Sequence, residues 1–333
     1  MREQITVSGE TAERTPWSGE FAGSVMTIVG GICWGLSGCC GQFLFEHRGV
    51  QAPWLVALRL LFAGLMLIIN GFILNRKDNL RIFKHKRDVR HLLVFALFGI
   101  TFCQFSYFMA VQSSNAGTAT VLQYLSPVLI LFIMCVRGRR RPRGLELLAI
   151  ALSLTGTFLI GTHGNIHGLQ LTPQGLMWGL LAAVSAVIYT TLPGTLVNRY
   201  DIYQVLGFGM FIGGLFMCLL VRPWTYAVVW DGGTWAAMFG VIVVGTAVAF
   251  GLYLQGVSII GPLKGSLYSG VEPVSSIIIS VFWLHTSFTR PDFLGFGLIM
   301  ATVFILAKTG GGQEKEAPGG SASPRPSCGE QKT

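Results

Sequence analysis

Ten apolar stretches, each of a length that crosses a bilayer, follow one another along this chain with short polar gaps between them: 22–45, 54–74, 91–111, 116–136, 144–162, 175–196, 203–221, 234–256, 263–284 and 292–309. A membrane helix needs roughly 20 apolar residues. The pattern therefore predicts an all-α membrane protein of ten transmembrane helices, with little chain left for a soluble domain. Residues 1–21 and the Gly-, Pro- and Ser-rich segment 310–333 lack the apolar residues to bury a core, so both are expected to be disordered. The first apolar stretch is too long, and starts too late, for a cleaved signal peptide.

Composition agrees: hydrophobic residues make up 52% and charged residues 12%, where soluble domains carry about 25% charged. The net charge of +9 would suit a nucleic-acid partner, but its distribution does not. Twenty of the 24 Lys and Arg lie in the N-terminal segment, the even-numbered gaps and the tail; Arg48, Arg222 and Arg290 lie in odd gaps, and Arg59 lies inside a span. This bias puts both termini in the cytoplasm, in a plasma or inner membrane. The basic clusters then face anionic lipid heads, and no nucleic-acid partner is expected. The seven cysteines show no CxxC or Cys/His spacing, so no metal is expected. No GxxxxGK[ST] occurs, so transport would draw on a gradient rather than on a nucleotide.

The chain also repeats. A shift of 146 residues carries Gly99 onto Gly245, Tyr107 onto Tyr253, Val111 onto Val257, Pro127 onto Pro273 and Glu146 onto Asp292. Earlier the offset drifts to 149, where Val56 and Gly64 meet Val205 and Gly213. Residues 22–162 and 175–309 thus read as two five-helix repeats joined by an outer linker at 163–174. Five spans per repeat send the second copy in from the opposite side, so the repeats are expected to be inverted. Secondary transporters use that plan, with the substrate site near mid-depth where the repeats meet.

The residues at these matched positions resemble a known family. YFMAVQSSNAGTATVLQYLSPVLILFIM (Tyr107–Met134) is similar to the third-to-fourth helix signature of the EamA-type drug/metabolite transporters, and GTAVAFGLYLQGVSIIGPLKGSLYSGVEPVSSIIIS (Gly245–Ser280) to its second copy. WLVALRLLFAG (Trp54–Gly64) is similar to the second helix, including its Arg. The resemblance covers about residues 22–309 and implies a ten-helix inverted repeat that moves amino acids, other metabolites or drugs, often outward. One departure concerns the Gly-Glu pair that members often carry between the last two helices of each half. Here those places read Leu284-His285 and Gly138-Arg139.

Charges at mid-bilayer cost at least about 2.5 kcal/mol each, which singles out Arg59 and Glu272. Arg59 lies about 9 Å from the outer end of span 2, and Glu272 about nine residues into span 9. An ion pair across the repeat interface is one expectation; substrate contact or proton coupling is another. Lys264, Tyr268, Glu272 and Ser276, spaced four apart, would share one helix face with Ser275 adjoining. Under the 146 shift the stripe falls on Thr118, Leu122, Ser126 and Ile130, so the site would be chemically lopsided, as a zwitterion requires. Tyr107, Tyr124, Tyr253 and Trp34 are candidate cavity walls, with Gln104, Gln123, Tyr189 and Gln255 weaker ones. Pro127 and Pro273 are candidate hinges. The reading is a secondary active transporter of small metabolites, exporting amino acids or related compounds by alternating access. It has no cofactor, protons are the candidate coupling ion, and the oligomeric state is left open. The rivals are a membrane-embedded enzyme acting on lipids, a passive channel, and a transporter of drugs or other metabolites.

Overall fold

A computed structural model describes residues 16–74, 80–139, 141–165 and 171–316, and every regular element among them is helical. Helix α1 spans Pro16–Arg48 and α2 spans Ala52–Leu74. Helix α3, Lys86–Ser113, contains a π-helical stretch at Phe95–Thr101. Then come α4 (Ala116–Gln123), α5 (Ser126–Arg137) and α6 (Gly144–Thr162). The second half holds α7 (Pro173–Thr191), the short α8 (Gly194–Val197) and α9 (Ile202–Val221). Helix α10, Gly232–Ile260, has its own π-helical stretch at Gly240–Val248. It is followed by α11 (Pro262–Ser269), α12 (Val271–Phe282) and α13 (Arg290–Glu316).

Eight helical stretches are long and apolar enough to cross a membrane: 19–48, 52–73, 86–113, 116–137, 144–162, 173–197, 202–221 and 232–260. Large apolar side chains point outward from them, among them Phe98, Leu154 and Leu219. That is the surface a hydrocarbon solvent requires and an aqueous one would penalise. The expected ninth span is broken at Gly270, which leaves a shorter apolar helix, and α13 falls outside the eight. Helix α1 begins at Pro16 rather than at residue 22, since proline suits a helix's first turn. Helix α13 runs on to Glu316, so the segment expected to be structureless from 310 is helical over its first turns. Arg2, Arg14, Arg76, Lys77, Arg140, the linker at 166–170 and the tail beyond 316 lie outside the described residues.

The breaks have a covalent cause. Pro127 and Pro273 lie in the first turns of α5 and α12. A proline there has no N–H to give to the carbonyl four residues back, so the preceding helix stops and a new one starts. The prolines thus divide spans rather than bend continuous helices.

The 146-residue spacing recurs in the elements. Helix α4 (116–123) corresponds to α11 (262–269), the π-helical stretch 95–101 to 240–248, and the start of α6 at 144 to that of α13 at 290. Packing has the same character. Helix α1 packs on α10 and α12, while α7 packs on α3 and α4; α2 lies against α9, α6 against α13, and α4 against α12. Glycine sets the closest approaches. A Cβ on Gly64 would lie 2.4 Å from the Phe211 nitrogen, and one on Gly214 2.3 Å from that of Leu61, so α2 and α9 meet backbone to backbone. Between α6 and α13, Gly156 meets the Gly295 carbonyl and Thr302 donates to the Ala149 carbonyl at 3.2 Å. Small residues serve this purpose where lipid offers no hydrophobic drive for helix association.

Side-chain caps close several helix starts: Asn115 accepts from the Thr118 N–H at 2.8 Å, Asp201 from Tyr203 at 2.8 Å and Asp231 from Thr234 at 2.7 Å. These Thr234 bonds, foremost the backbone one, hold the Asp231 carboxyl below its ordinary range. Asp231 also pairs with Arg48 at 2.7 Å, tying the end of α1 to the start of α10.

Gly214→Val should abolish folded protein or cost well over the about 1–3 kcal/mol typical of overpacking, because backbone rather than a flexible side chain stands in its way. Gly251→Ala, which meets nothing within 4 Å, should melt at or above the wild-type temperature in detergent.

Candidate functional site

Between the two halves lies a cavity of about 700 Å³, within the range of small-molecule sites. Its walls come from α1, α2, α3, α4, α5, α7, α9, α10 and α12, with Val303 of α13 at the edge. Arg59 and Glu272 both line it, and aromatic rings make up much of the rest: Trp34, Phe95, Tyr107, Tyr124, Tyr189, Phe250 and Tyr253. It reaches the connection between α7 and α9, where Pro193, Gly194, Val197, Asn198 and Ile202 line it.

Arg59 is 5% exposed, and its position follows from glycine and ring contacts. Its Nη2 donates to the Gly245 carbonyl at 3.3 Å, inside the π-helical stretch of α10. A Cβ at Gly245 would lie 2.2 Å from Ser37, so only glycine lets α1 seat this stretch. The guanidinium carbon stands 5.1 Å from the centre of the Phe108 ring, a cation–π contact. Its Nε is buried with no hydrogen-bond partner. A buried, incompletely bonded guanidinium on a cavity wall is costly unless something anionic completes it.

Glu272 lies in the first turn of α12 and is half-buried. Tyr124, at the break between α4 and α5, donates its hydroxyl to Glu272 Oε2 at 3.1 Å and is also within 2.8 Å of the Ser269 carbonyl. Ser269 is the residue four before Pro273, so its carbonyl is one that the proline cannot serve. Tyr124 of one half therefore covers the break in the other and steers the carboxylate beside it. Gly35 brings α1 against this turn: a Cβ there would lie 2.3 Å from Ser275 Oγ and 2.8 Å from the Glu272 carbonyl.

The aromatic wall is ordered by its own contacts. The Trp34 ring lies 5.1 Å from Phe250 and 4.9 Å from Tyr253, and Phe95 stacks on Tyr189 at 6.0 Å. Tyr107 bonds Thr120 at 2.9 Å, and Gly38 leaves room for its hydroxyl. At the far end of the bundle from the α7–α9 connection, Gln42 ties three elements together. Its amide donates to Glu46 at 2.8 Å and Thr286 at 3.0 Å, and its carbonyl accepts from the Ala116 N–H at 2.9 Å.

The structure thus gathers Glu272, Arg59, Tyr124, Tyr107, Tyr253, Trp34, Ser126 and Pro127 around one cavity, with Gln104, Gln123 and Tyr189. It does not bring in the rest of the expected stripe. The break at Gly270 takes Lys264 and Tyr268 off the phase of Glu272. Lys264 is exposed and pairs with Glu20, and Tyr268 stays off the cavity wall. Ser276 is fully buried, its carbonyl accepting from the Cys39 thiol at 3.4 Å. Pro273 is buried behind the wall, and Gln255 is exposed. The considered Arg59–Glu272 ion pair is not formed: Arg59 turns to the Gly245 carbonyl and Glu272 to Tyr124. Phe95, Phe250, Cys103 and Asn198 were not foreseen, because an aromatic or small residue in an apolar run carries no mark that separates wall from packing.

Residues 21–162 and, separately, residues 173–308 match the EamA-like transporter family. The chain is 38% identical over 286 residues to the uncharacterized inner membrane transporter YicL of Salmonella typhimurium, covering 86% of this chain and 95% of that protein. It is 25% identical over 224 residues to an uncharacterized transporter of Archaeoglobus fulgidus, covering 66% and 77%. A protein of known crystal structure shares the fold at a TM-score of 0.55 and 20% identity, over 88% of this chain and 98% of that one.

Tyr124→Phe removes the hydroxyl shared by Ser269 and Glu272. It should lower stability by about 1–3 kcal/mol, as for a buried acceptor left unserved, seen as a lower melting temperature in detergent with helix content unchanged.

Proposed function

The chain belongs to the EamA-like transporter family, and from that premise we propose that it exports amino acids or related zwitterionic metabolites by alternating access, as a secondary active transporter of the cell's inner membrane. Transport itself follows from the family, whose matched relatives are named as transporters, and so the enzyme reading falls away. The observation that carries the finer reading is the pairing in one cavity of an incompletely bonded guanidinium, Arg59, with a carboxylate, Glu272, that is not bonded to it. Two opposite charges held apart by other partners leave each pole open to a substrate's opposite pole. Arg59 would take the carboxylate of the substrate, Glu272 its ammonium group, and Trp34, Tyr253 and Phe250 its side chain.

The same reading makes the bundle ten spans in two inverted repeats, 22–162 and 175–309, related by an axis in the membrane plane. It is supported by the equal spacing of the broken helices and π-helical stretches, by the exchange of packing partners between halves, and by the separate family match of each half. Two like halves can exchange conformations, which exposes the shared cavity to each side in turn. With the charge bias putting both termini inside, a cavity that reaches the α7–α9 connection while Gln42 ties the other end describes a cytoplasm-open state. Pro127 and Pro273, at the matched breaks, serve as hinges. The membrane location also rests on the inner-membrane name of the Salmonella relative.

A second reading draws on the aromatic wall and the cavity's size, which also suit a bulkier apolar drug or metabolite. The two readings part on whether charge at both poles is required.

The test is transport in proteoliposomes with labelled amino acids, run with and without a pH gradient. If Glu272 carries the coupling proton, Glu272→Gln should lose gradient-driven accumulation and keep substrate exchange. If it only binds substrate, both should fall. Normal accumulation in a folded Glu272→Gln protein would reject the role of Glu272 altogether. Orientation is checked by single-cysteine labelling: a Cys at Asn165 should react from outside the cell and one at Lys84 should not.

A further inference from the structure

A second cavity, of about 410 Å³, lies well away from the first and is walled by Arg81, His85, Arg87, Asp88, Arg199 and Tyr200. Asp88 is the one carboxylate among these residues, and it is already engaged. It is 6% exposed, accepts the Tyr200 hydroxyl at 2.7 Å and sits 3.5 Å from Arg199 Nη1. Three guanidinium groups against one occupied carboxylate leave the cavity with a surplus of positive charge. The backbone adds to it. Helix α3 starts at Lys86, its N-cap residue His85 makes no side-chain capping bond, and the positive end of the helix dipole therefore faces the cavity uncovered.

The surroundings put this cavity at a membrane surface. Arg81 belongs to a single helical turn, Arg81–Lys84, flanked by Leu80 at 57% exposure and carrying Phe83 at 43%. Phe83 rests edge-on against Phe208 of α9 at 4.8 Å. Apolar side chains that point outward beside basic ones mark the boundary between headgroups and hydrocarbon. An occupant can thus place an anionic head among the arginines and apolar chains over Phe83 and Leu80. A soluble anion would use only the first of these.

We propose that this cavity binds the phosphodiester headgroup of an anionic phospholipid. Arg81, Arg87 and Arg199 hold the phosphate charge, and the start of α3 supplies N–H donors. The position gives the lipid a lever on transport: Arg199 and Tyr200 lie between Asn198 and Ile202, which line the main cavity. A headgroup that draws on Arg199 therefore acts on the same connection that borders the substrate's path. The binding site does not depend on the substrate proposed above.

The experiment is native mass spectrometry of the detergent-purified full chain, titrated with phosphatidylglycerol or with phosphatidylcholine of the same acyl chains. The wild type should retain phosphatidylglycerol preferentially. Arg81→Gln with Arg87→Gln should weaken that retention roughly thirtyfold, the effect of removing two interfacial cations. Lys84→Gln with Arg90→Gln removes the same charge outside the cavity and should leave the preference in place. Asp88 keeps its two partners in both double variants, so folding, followed by melting temperature, should be preserved. Equal retention of the two lipids by the wild type, or equal losses in the two double variants, would overturn the proposal. Displacement of the lipid by inorganic phosphate at equal concentration would reassign the cavity to a soluble phosphate and overturn the lipid.

Discussion

A membrane interior has no water to satisfy a loose carbonyl, so a helix can break there only where another group takes over its hydrogen bonds. In this protein the break at Gly270 depends on Tyr124. Pro273 cannot bond the Ser269 carbonyl, and the Tyr124 hydroxyl reaches it from the opposite half at 2.8 Å. The same hydroxyl stands 3.1 Å from Glu272. One phenol therefore makes the break tolerable, aims the carboxylate and links the two halves at the point where the cavity lies. Were the break not covered, span 9 would either straighten, which would return Glu272 to the phase of Tyr268 and Ser276, or lose its place.

Glycine decides where the rest of the bundle can close on that point. Gly35 lets α1 approach the Glu272 turn, Gly245 lets α1 seat the π-helical stretch that receives Arg59, and Gly38 leaves room for the Tyr107 hydroxyl. Each contact brings backbone, not side chain, to the cavity. The polar groups are consequently held by rigid elements, while the surface toward lipid is left to large apolar residues such as Phe98 and Phe282. A site built this way can hold two opposite charges without letting them neutralise each other, since each has another partner: Gly245 for Arg59, Tyr124 for Glu272.

Much of the fold could be read in the sequence because hydropathy reports directly on helices in lipid. Span 5 ends where the apolar run ends, at 144 and 162, and α9 begins one residue before the expected 203. The two buried charges were visible for the same reason: nothing else in the spans is so expensive. Hydropathy cannot show hydrogen bonding, and the misses follow from that. Pro273 was legible as a kink, but the full break at Gly270 was not, so the four-residue stripe was drawn through it and Tyr268 and Ser276 were assigned to a site they do not reach. The ion pair failed because its alternatives, a main-chain carbonyl for Arg59 and a phenol for Glu272, come from segments distant in sequence. Phe95 and Phe250 looked like packing, and only their place on the wall distinguishes them.

The central claim is that one cavity reads both poles of a zwitterion. The direct test is equilibrium binding of a labelled amino acid to the purified protein, by scintillation proximity, with competition by analogues that lack one charge. The account predicts that the decarboxylated amine and the N-acetylated acid both compete far more weakly than the parent amino acid, since each leaves Arg59 or Glu272 without its counterpart. Equal competition by either single-charge analogue would contradict it.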